Sequence, residues 1–298
     1  MKIGFVGLGA MGSAMAPHLL SLASPLSVHN RTKAKADFLI AQGAEFAPTP
    51  GDAARGDIVV SMLSNDAAVE AVVFGEDGIL AALPQGALHI SMSTISMALA
   101  EKLAEAHKAA GQQYLSAPVF GRPDAAAAAK LFVVAAGPED ALAKAQPVFD
   151  ALGQRTFPYG AEAEKANLVK LSGNFLITAV IQSLSEAITL ASKAGIDKRQ
   201  YLDMLTETLF TAPVYKTYGN MIIEGRYEPP GFTATLGRKD LGLVLDAAES
   251  LQVPMSTASL IADRFLTLMA TGDGDLDWAA LGLLVARNAG EAPASGGQ

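Results

Sequence analysis

The chain contains no cysteine. That excludes a disulfide framework, a thiolate nucleophile and any cysteine-ligated metal, and nothing else in the composition points to secretion. Histidine is scarce too: His18, His29, His89 and His107 are scattered without metal-ligand spacing or a Ser/His/Asp arrangement, so no metal is expected. Aromatic residues make up only 6% of the chain and Trp278 is the single tryptophan. Phe175, Tyr215, Tyr218 and Trp278 therefore suggest core packing rather than a cofactor box, although Tyr215 or Tyr218 could line a cleft. Basic charge is in deficit, with 22 Lys+Arg against 30 Asp+Glu and a formal net charge of -8. Such a balance provides no general attraction to nucleic acid or an anionic membrane, and favours a small-molecule partner. The longest apolar region, Leu168 to Ala191, is interrupted by Lys170, Asn174, Gln182 and Glu186. These would be costly in a bilayer core, so the segment reads as a buried helix of a soluble protein. MKIGFVGLG enters a strand directly, leaving no room for a cleavable signal ahead of it; the cytoplasm is the expected compartment.

What the chain has in quantity is apolar surface. With 298 residues, half of them hydrophobic, it can bury a large core and divide into two domains. From Met1 to Tyr159 short β-branched runs alternate with helical patterns: KIGFVG, LSVHN, DIVVSML, ALHISM, QQYLSAPV, LFVVAAG and RTFPY. That rhythm predicts a mainly parallel sheet covered by helices. After Gly160 the rhythm stops and helices follow, the first a long one over 161–194 that Gly195 can end in the C′ position. The expected architecture is an α/β Rossmann-type domain over 1–160 and an all-α domain over 161–298, with the active cleft between them. The alanine run Ala125 to Ala129 predicts a helical turn or tight loop, and the tail EAPASGGQ a mobile end.

GLGAMG places Gly7, Gly9 and Gly12 in the G-x-G-x-x-G pattern, after a strand and before a helix. In that position the glycines permit a tight turn, close approach of a pyrophosphate and helix–strand packing, so Gly7, Gly9, Ala10, Met11 and Gly12 are candidate dinucleotide-binding residues. The second strand ends HNRT, where a cofactor with a free ribose 2′-hydroxyl would call for Asp or Glu. Asn30, Arg31 and Thr32 offer donors and a positive charge suited to a 2′-phosphate, favouring NADP(H) over NAD(H).

In NLVKLSGNF, Lys170 and Asn174 lie four apart and share a helix face. An ammonium there can stabilise and protonate the oxygen of a carbonyl that accepts hydride, and a partly desolvated lysine can have its pKa lowered toward a useful range. Asn174 can orient that lysine or the substrate. On these residues alone the plainer account is a lysine snorkelling to water and an asparagine satisfying backbone groups.

Five ordered stretches, FVGLGAMGSAM, SMSTIS, SAPVFGRPDAAAAAKL, NLVKLSGNF and GRKDLGLVLDAAE, make the chain resemble the β-hydroxyacid dehydrogenase family, of 3-hydroxyisobutyrate dehydrogenase and semialdehyde reductase type, over nearly its whole length. The resemblance implies that Lys170 is the catalytic lysine and Asn174 its substrate-side neighbour. It places Ser93 and Thr94 in the segment bordering nicotinamide and substrate, Leu63 and Ser64 against the cofactor, and Lys239 with Asp240 in a late motif closing the site. It also implies a homodimer or homotetramer built through the helical domain. The chain departs from the family pattern at His18, where asparagine is usual and a capping or packing role is expected. The substrate loop, usually APVSGG, here reads APVFGR from Ala117 to Arg122, so Phe120, Gly121 and Arg122 would border the substrate; Ala129 stands where a later glycine is usual. Arg122 can bind a carboxylate or point outward. The function implied is NADPH-dependent, reversible reduction of a small aldehyde or keto acid, with an imine reductase or a non-catalytic NADP-binding sensor as the alternatives.

Overall fold

The computed structural model describes residues 1–23 and 25–291, and residues 292–298 of the tail lie outside the described residues. Two compact units divide at Lys170/Leu171.

The first unit is built on a six-stranded parallel sheet. Its strands are β1 (Ile3–Val6), β2 (Leu26–His29), β3 (Glu45–Phe46), β4 (Ile58–Ser61), β5 (Leu88–Ser91) and β6 (Gln113–Ser116), in spatial order β3-β2-β1-β4-β5-β6. β1, β4 and β5 are buried at every position, as continuous apolar runs in a sheet covered on both faces should be. The two-residue edge strand β3 has no apolar run and was not legible in the pattern. Strand order reverses between β1 and β4, so the chain leaves the sheet to opposite sides at that point. Register is equally ordered: Val6 pairs with His29 and Ser61, Ser61 with Ser91, and Ser91 with Ser116. One row of residues thus ends five strands, and the loops that follow all depart from it.

Two of the seven expected strands are not in this sheet. LFVVAAG and RTFPY become β8 (Leu131–Ala135) and β9 (Gly153–Pro158), which form a separate three-stranded sheet with β7 (Val119–Phe120). β8 is antiparallel to β7 and parallel to β9, with a register shift at Leu131/Phe132. The cause lies in QQYLSAPV, where Pro118 has no N–H to donate, so the run breaks after Ser116 and restarts as β7. An antiparallel bridge, Ser116 to Ala136, links the two sheets.

The long helix spans Glu164–Lys193. Gly195 ends it with φ of +82°, its N–H bonded to Ser192 O (2.9 Å) while the Ile196 N–H reaches Ala191 O (3.1 Å), a Schellman cap with glycine at C′. Among the described residues it is the one helix long and apolar enough to cross a membrane by length and composition, yet Lys170, Asn174 and Gln182 on it are buried within the protein. The alanine run forms the helix Pro123–Ala127 and ends in the same cap, with Ala129 in the left-handed position at φ of +53°.

In the second unit the remaining helices, Lys198–Glu207, Pro213–Glu224, Ala234–Ser250, Ser256–Ala270 and Leu281–Asn288, enclose a core that includes Ile181, Leu241, Ile261, Phe265 and Leu281. Trp278 packs there between Tyr218 and Phe232, which makes Trp278 and Tyr218 core residues.

Two histidines remote in sequence meet in the first unit's core. Gln112 Nε2 donates to Leu80 O (3.0 Å) and Leu83 O (2.6 Å), leaving Oε1 to accept from His107 Nδ1 (2.7 Å). His107 Nε2 must then accept from His89 Nδ1 (2.9 Å), and His89 Nε2 from the Ser61 hydroxyl (2.8 Å). The chain is satisfied only with both rings neutral. Burial pushes His107 down to about 4 and His89 well below its ordinary value. The unfolded chain therefore binds more protons just below pH 6.5, so this stability is present above pH 6.5 and is lost as pH falls toward 4. Unfolding free energy should drop by about 1.4 kcal/mol per pH unit from His107 alone in that window. Urea unfolding of the wild type and of His107→Gln from pH 7 to 4.5 checks this: the variant should show the shallower slope, and equal slopes would contradict it.

Candidate active site

Each glycine of GLGAMG has a different steric reason. Gly7 has φ of +100°, and a Cβ on it would lie 2.3 Å from Met62 O. At Gly12 a Cβ would lie 1.9 Å from Gly7 O, so the helix Ala10–Met15 packs on the loop only because that position is bare. Around Gly9 there is nothing within 4 Å. That open space lies at the N-cap of the helix, which has no side-chain cap and no acidic residue in its first turn. Turn, open approach and close packing are the three requirements of a pyrophosphate cradle, and the positive end of the helix faces it. Ala10 is exposed and Met11 packs partly against the core. These residues fit a nicotinamide dinucleotide.

Beside the cradle, Asn30 serves the scaffold: its Oδ1 accepts from the Leu8 N–H (2.9 Å) and its Nδ2 donates to Thr32 O (3.0 Å). The donors left for a ligand are those of Arg31 and Thr32, both exposed, followed by exposed Lys33 and Lys35.

The next two loops are tied to each other. Ser93, fully buried, accepts the Leu63 N–H at 2.8 Å, while Ser64 is exposed and Thr94 half-buried. Asn167, for which the sequence suggested no role, pins the second loop: its Oδ1 accepts from the Ile95 N–H (3.1 Å) and its Nδ2 donates to Ser116 Oγ (2.7 Å). The segment Ser93–Ile95 is thereby fastened to the long helix one turn before Lys170. The available signal was the i,i+3 spacing of Asn167 and Lys170 on one face. Tyr114, raised by burial to about 12, stays protonated 3.4 Å from Ser116 Oγ.

Lys170 is buried, with Nζ 4.1 Å from the centroid of the Phe120 ring. Gly121 has φ of +142°, and a Cβ there would strike Leu131 Cδ2 at 2.5 Å, so the turn after Phe120 requires glycine. Arg122 is half-buried and extended (φ -95°, ψ 174°), as a residue before proline should be, and stands at the N-cap of Pro123–Ala127. His18 Nε2 meets Ala126 O of that helix at 3.0 Å, the capping role expected of it.

In the second unit, Asn174 Nδ2 donates to Asp240 Oδ2 at 2.5 Å and Lys239 Nζ lies 2.6 Å from Asp240 Oδ1. Asp240 is 2% exposed, so this is a buried anchor for the Asn174 amide rather than a surface charge pair. The structure thus groups the expected residues within each unit: the glycine loop with Asn30, Leu63 with Ser93, Lys170 with Phe120, and Asn174 with Lys239.

A glycine cradle on a six-stranded parallel sheet with a strand-order reversal defines a dinucleotide-binding fold. Residues 2–160 match the model of the NAD binding domain of 6-phosphogluconate dehydrogenase, and residues 165–284 that of the NAD-binding region of NADP-dependent 3-hydroxyisobutyrate dehydrogenase. The chain belongs to the β-hydroxyacid dehydrogenase family. It is 45% identical to an uncharacterised oxidoreductase of Bacillus subtilis (strain 168), over 94% of this chain and 98% of that one. It is 32% identical to glyoxylate/succinic semialdehyde reductase 1 of Arabidopsis thaliana, over 94% of this chain and 97% of that one. The crystal structure of 3-hydroxyisobutyrate dehydrogenase from Salmonella typhimurium is similar with a TM-score of 0.86 at 29% identity, over 95% of this chain and 99% of that one.

The second and third glycines should separate on substitution. Gly9→Ala should melt close to wild type but bind NADPH at least about tenfold more weakly, whereas Gly12→Ala should lose roughly 1–3 kcal/mol of stability through overpacking. Thermal unfolding with cofactor-fluorescence titration checks both, and wild-type NADPH affinity in Gly9→Ala would contradict the cradle.

Proposed function

We propose that the protein is an NADPH-dependent reductase of small aldehydes or keto acids, acting reversibly, with Lys170 as general acid and base. The observation that carries this reading is a buried lysine held on an aromatic ring, one helical turn from the asparagine that fastens the Ser93–Thr94 loop. When bound, the reduced cofactor supplies the hydride. Gly7, Gly9, Ala10, Met11 and Gly12 hold its pyrophosphate, Leu63, Ser64 and Thr94 border it, and Lys239 contributes from the helical domain. Lys170 Nζ gives a proton to the forming alkoxide; in the oxidation direction the neutral amine takes that proton from the substrate hydroxyl. Asn174, four residues further along the same helix and anchored by Asp240, orients the substrate. Ser93, Phe120, Gly121 and Arg122 shape the substrate's surroundings, and we assign Arg122 to a substrate carboxylate.

The functional division we propose is a dinucleotide-binding domain over 1–160 and a helical substrate and oligomerisation domain over 161–298. Exposed Leu176 (61%) and Leu190 (75%) on the long helix support a homodimer or homotetramer built through that domain. The net charge of -8 supports a small-molecule partner without nucleic acid or membrane, and a composition without cysteine supports the cytoplasm as the compartment. Retention of Lys170 argues against imine reduction, and retention of Lys170 with Asn174 argues against a sensor without turnover. NADPH consumption across semialdehydes, glyoxylate and neutral aldehydes discriminates among the three.

Lys170→Ala should lower turnover by roughly 10²–10⁴-fold while NADPH still binds. Near-normal turnover would remove the mechanism. The two arginines divide binding between them: Arg31→Ala should weaken NADPH far more than NADH, and Arg122→Ala should raise KM for acidic substrates while sparing neutral aldehydes. Equal loss with both cofactors, or an equal response of both substrate classes, would count against the respective assignment.

A further inference from the structure

Lys170 lies on a helix, while Ser93 and Thr94 lie in a loop, and a reduction that uses both must hold one against the other. The loop segment Ser93–Ser96 is held at three points. Ser93 Oγ accepts the Leu63 N–H at 2.8 Å, Asn167 Oδ1 the Ile95 N–H at 3.1 Å, and Asp66 Oδ1 the Ser96 N–H at 3.1 Å. The first and third bonds run to the segment after β4, and the second crosses to the long helix.

The orientation of the Asn167 amide follows from its neighbours. A backbone N–H can only donate, so the amide oxygen must face Ile95 and the NH2 group must face Ser116, whose hydroxyl oxygen accepts at 2.7 Å. Asn167, Ile95, Ser93 and Ser116 are all fully buried. Rotating the Thr94–Ile95 peptide would turn its N–H away from Oδ1 and leave a buried donor and a buried acceptor unpaired, which holds that peptide in one orientation. Ser116 ends β6, so the same amide is tied to the sheet. Asn167 and Lys170 stand i and i+3 on one helix, about 4.5 Å apart along its axis. The peptide after Thr94 and the lysine therefore share a single helical turn as their frame.

We propose that Asn167 is a positioning residue for the reaction: it holds the Thr94 segment and the Lys170 turn in fixed relation, so that hydride donor and proton donor meet the same carbonyl group. This rests on the reductase reading with Lys170 as the acid. Both polar ends of Asn167 are engaged within the protein, so its loss acts on the rate of the chemical step rather than on the binding of cofactor or substrate. A misplacement of about 1 Å between reacting groups costs on the order of 10²-fold in rate.

The test reads single-turnover hydride transfer from NADPH to an aldehyde, KM, NADPH affinity, and hydrogen exchange of the peptide spanning Ser93–Ser96 by mass spectrometry. Asn167→Leu keeps the branched outline and removes both bonds. Asn167→Asp keeps them, one oxygen accepting the Ile95 N–H and the other the Ser116 hydroxyl proton. Val148→Ala, a truncation of a buried residue in the helix Glu139–Leu152, is the control for lost stability. Asn167→Leu should slow hydride transfer roughly 10–100-fold, with KM and NADPH affinity within about threefold and faster exchange in the segment. Asn167→Asp should recover the rate to within about threefold of wild type and restore the protection, while Val148→Ala should melt lower with kcat unchanged. Ser116→Ala, which frees the amide from the sheet, should show the Asn167→Leu pattern at smaller amplitude and stands in for that variant where it does not fold. A hydride rate in Asn167→Leu within about threefold of wild type, a loss of NADPH affinity alone, or equal slowing in Asn167→Asp or Val148→Ala would overturn the proposal. Lys170→Ala, assayed alongside, separates the two readings. If it is inactive while Asn167→Leu keeps the wild-type rate, only the role of Asn167 fails; if it retains near-normal turnover, the acid role and the role of Asn167 both fall.

Discussion

Parallel strands buried on both faces are the constraint from which the site follows. They cannot be joined by tight hairpins, so every connection returns over a face and every outgoing loop leaves from the same end. Because Val6, His29, Ser61, Ser91 and Ser116 share one register row, the segments Gly7–Gly12, Asn30–Thr32, Leu63–Ser64 and Ser93–Thr94 emerge side by side. Strand order reverses between β1 and β4, where the glycine loop departs, which is the place an open α/β sheet offers a ligand.

Much of the polar chemistry around these loops secures the scaffold. Asn30 joins the glycine loop to the end of β2, Ser93 joins the loops after β4 and β5, and Asn167 joins the latter to the long helix. These amides and hydroxyls have partners inside the protein, which keeps several loops in one geometry at a net gain of about 1 kcal/mol per bond. In the second unit Asp240 does for Asn174 what the ring of Phe120 does for Lys170: each fixes a polar group that the sequence presents in the middle of an apolar helix.

What was legible in the sequence was set by short-range sterics and periodicity. Gly7 and Gly12 could be read because a Cβ there would clash with backbone, Gly195 because its left-handed cap position favours glycine, and the long helix because its pattern runs to that glycine cap. What was not legible depends on tertiary neighbours. Pro118 splits one apolar run into β6 and β7, and through β7 gathers β8 and β9 into a second sheet that alternation alone could not separate from the first. His89 and His107 looked scattered, since nothing in a separation of 18 residues shows that a strand and a helix bring their rings to 2.9 Å. Asn167, and the bond from Asn174 to Asp240, escaped for the same reason, the partners lying 72 and 66 residues apart. Phe120 was visible as a departure from the family loop, but only the fold shows that its ring meets Lys170.

In the proposed reduction a protein-bound ammonium delivers a proton as hydride reaches the carbonyl carbon. Single-turnover reduction of an aldehyde with NADPH and with cofactor deuterated at the transferred position, each in H2O and in D2O, tests it most directly. A primary isotope effect from the labelled cofactor and a normal solvent isotope effect on the same step are expected, the latter lost in Lys170→Ala. A hydride step with no solvent isotope effect in the wild type, or one unchanged without the lysine, would contradict it.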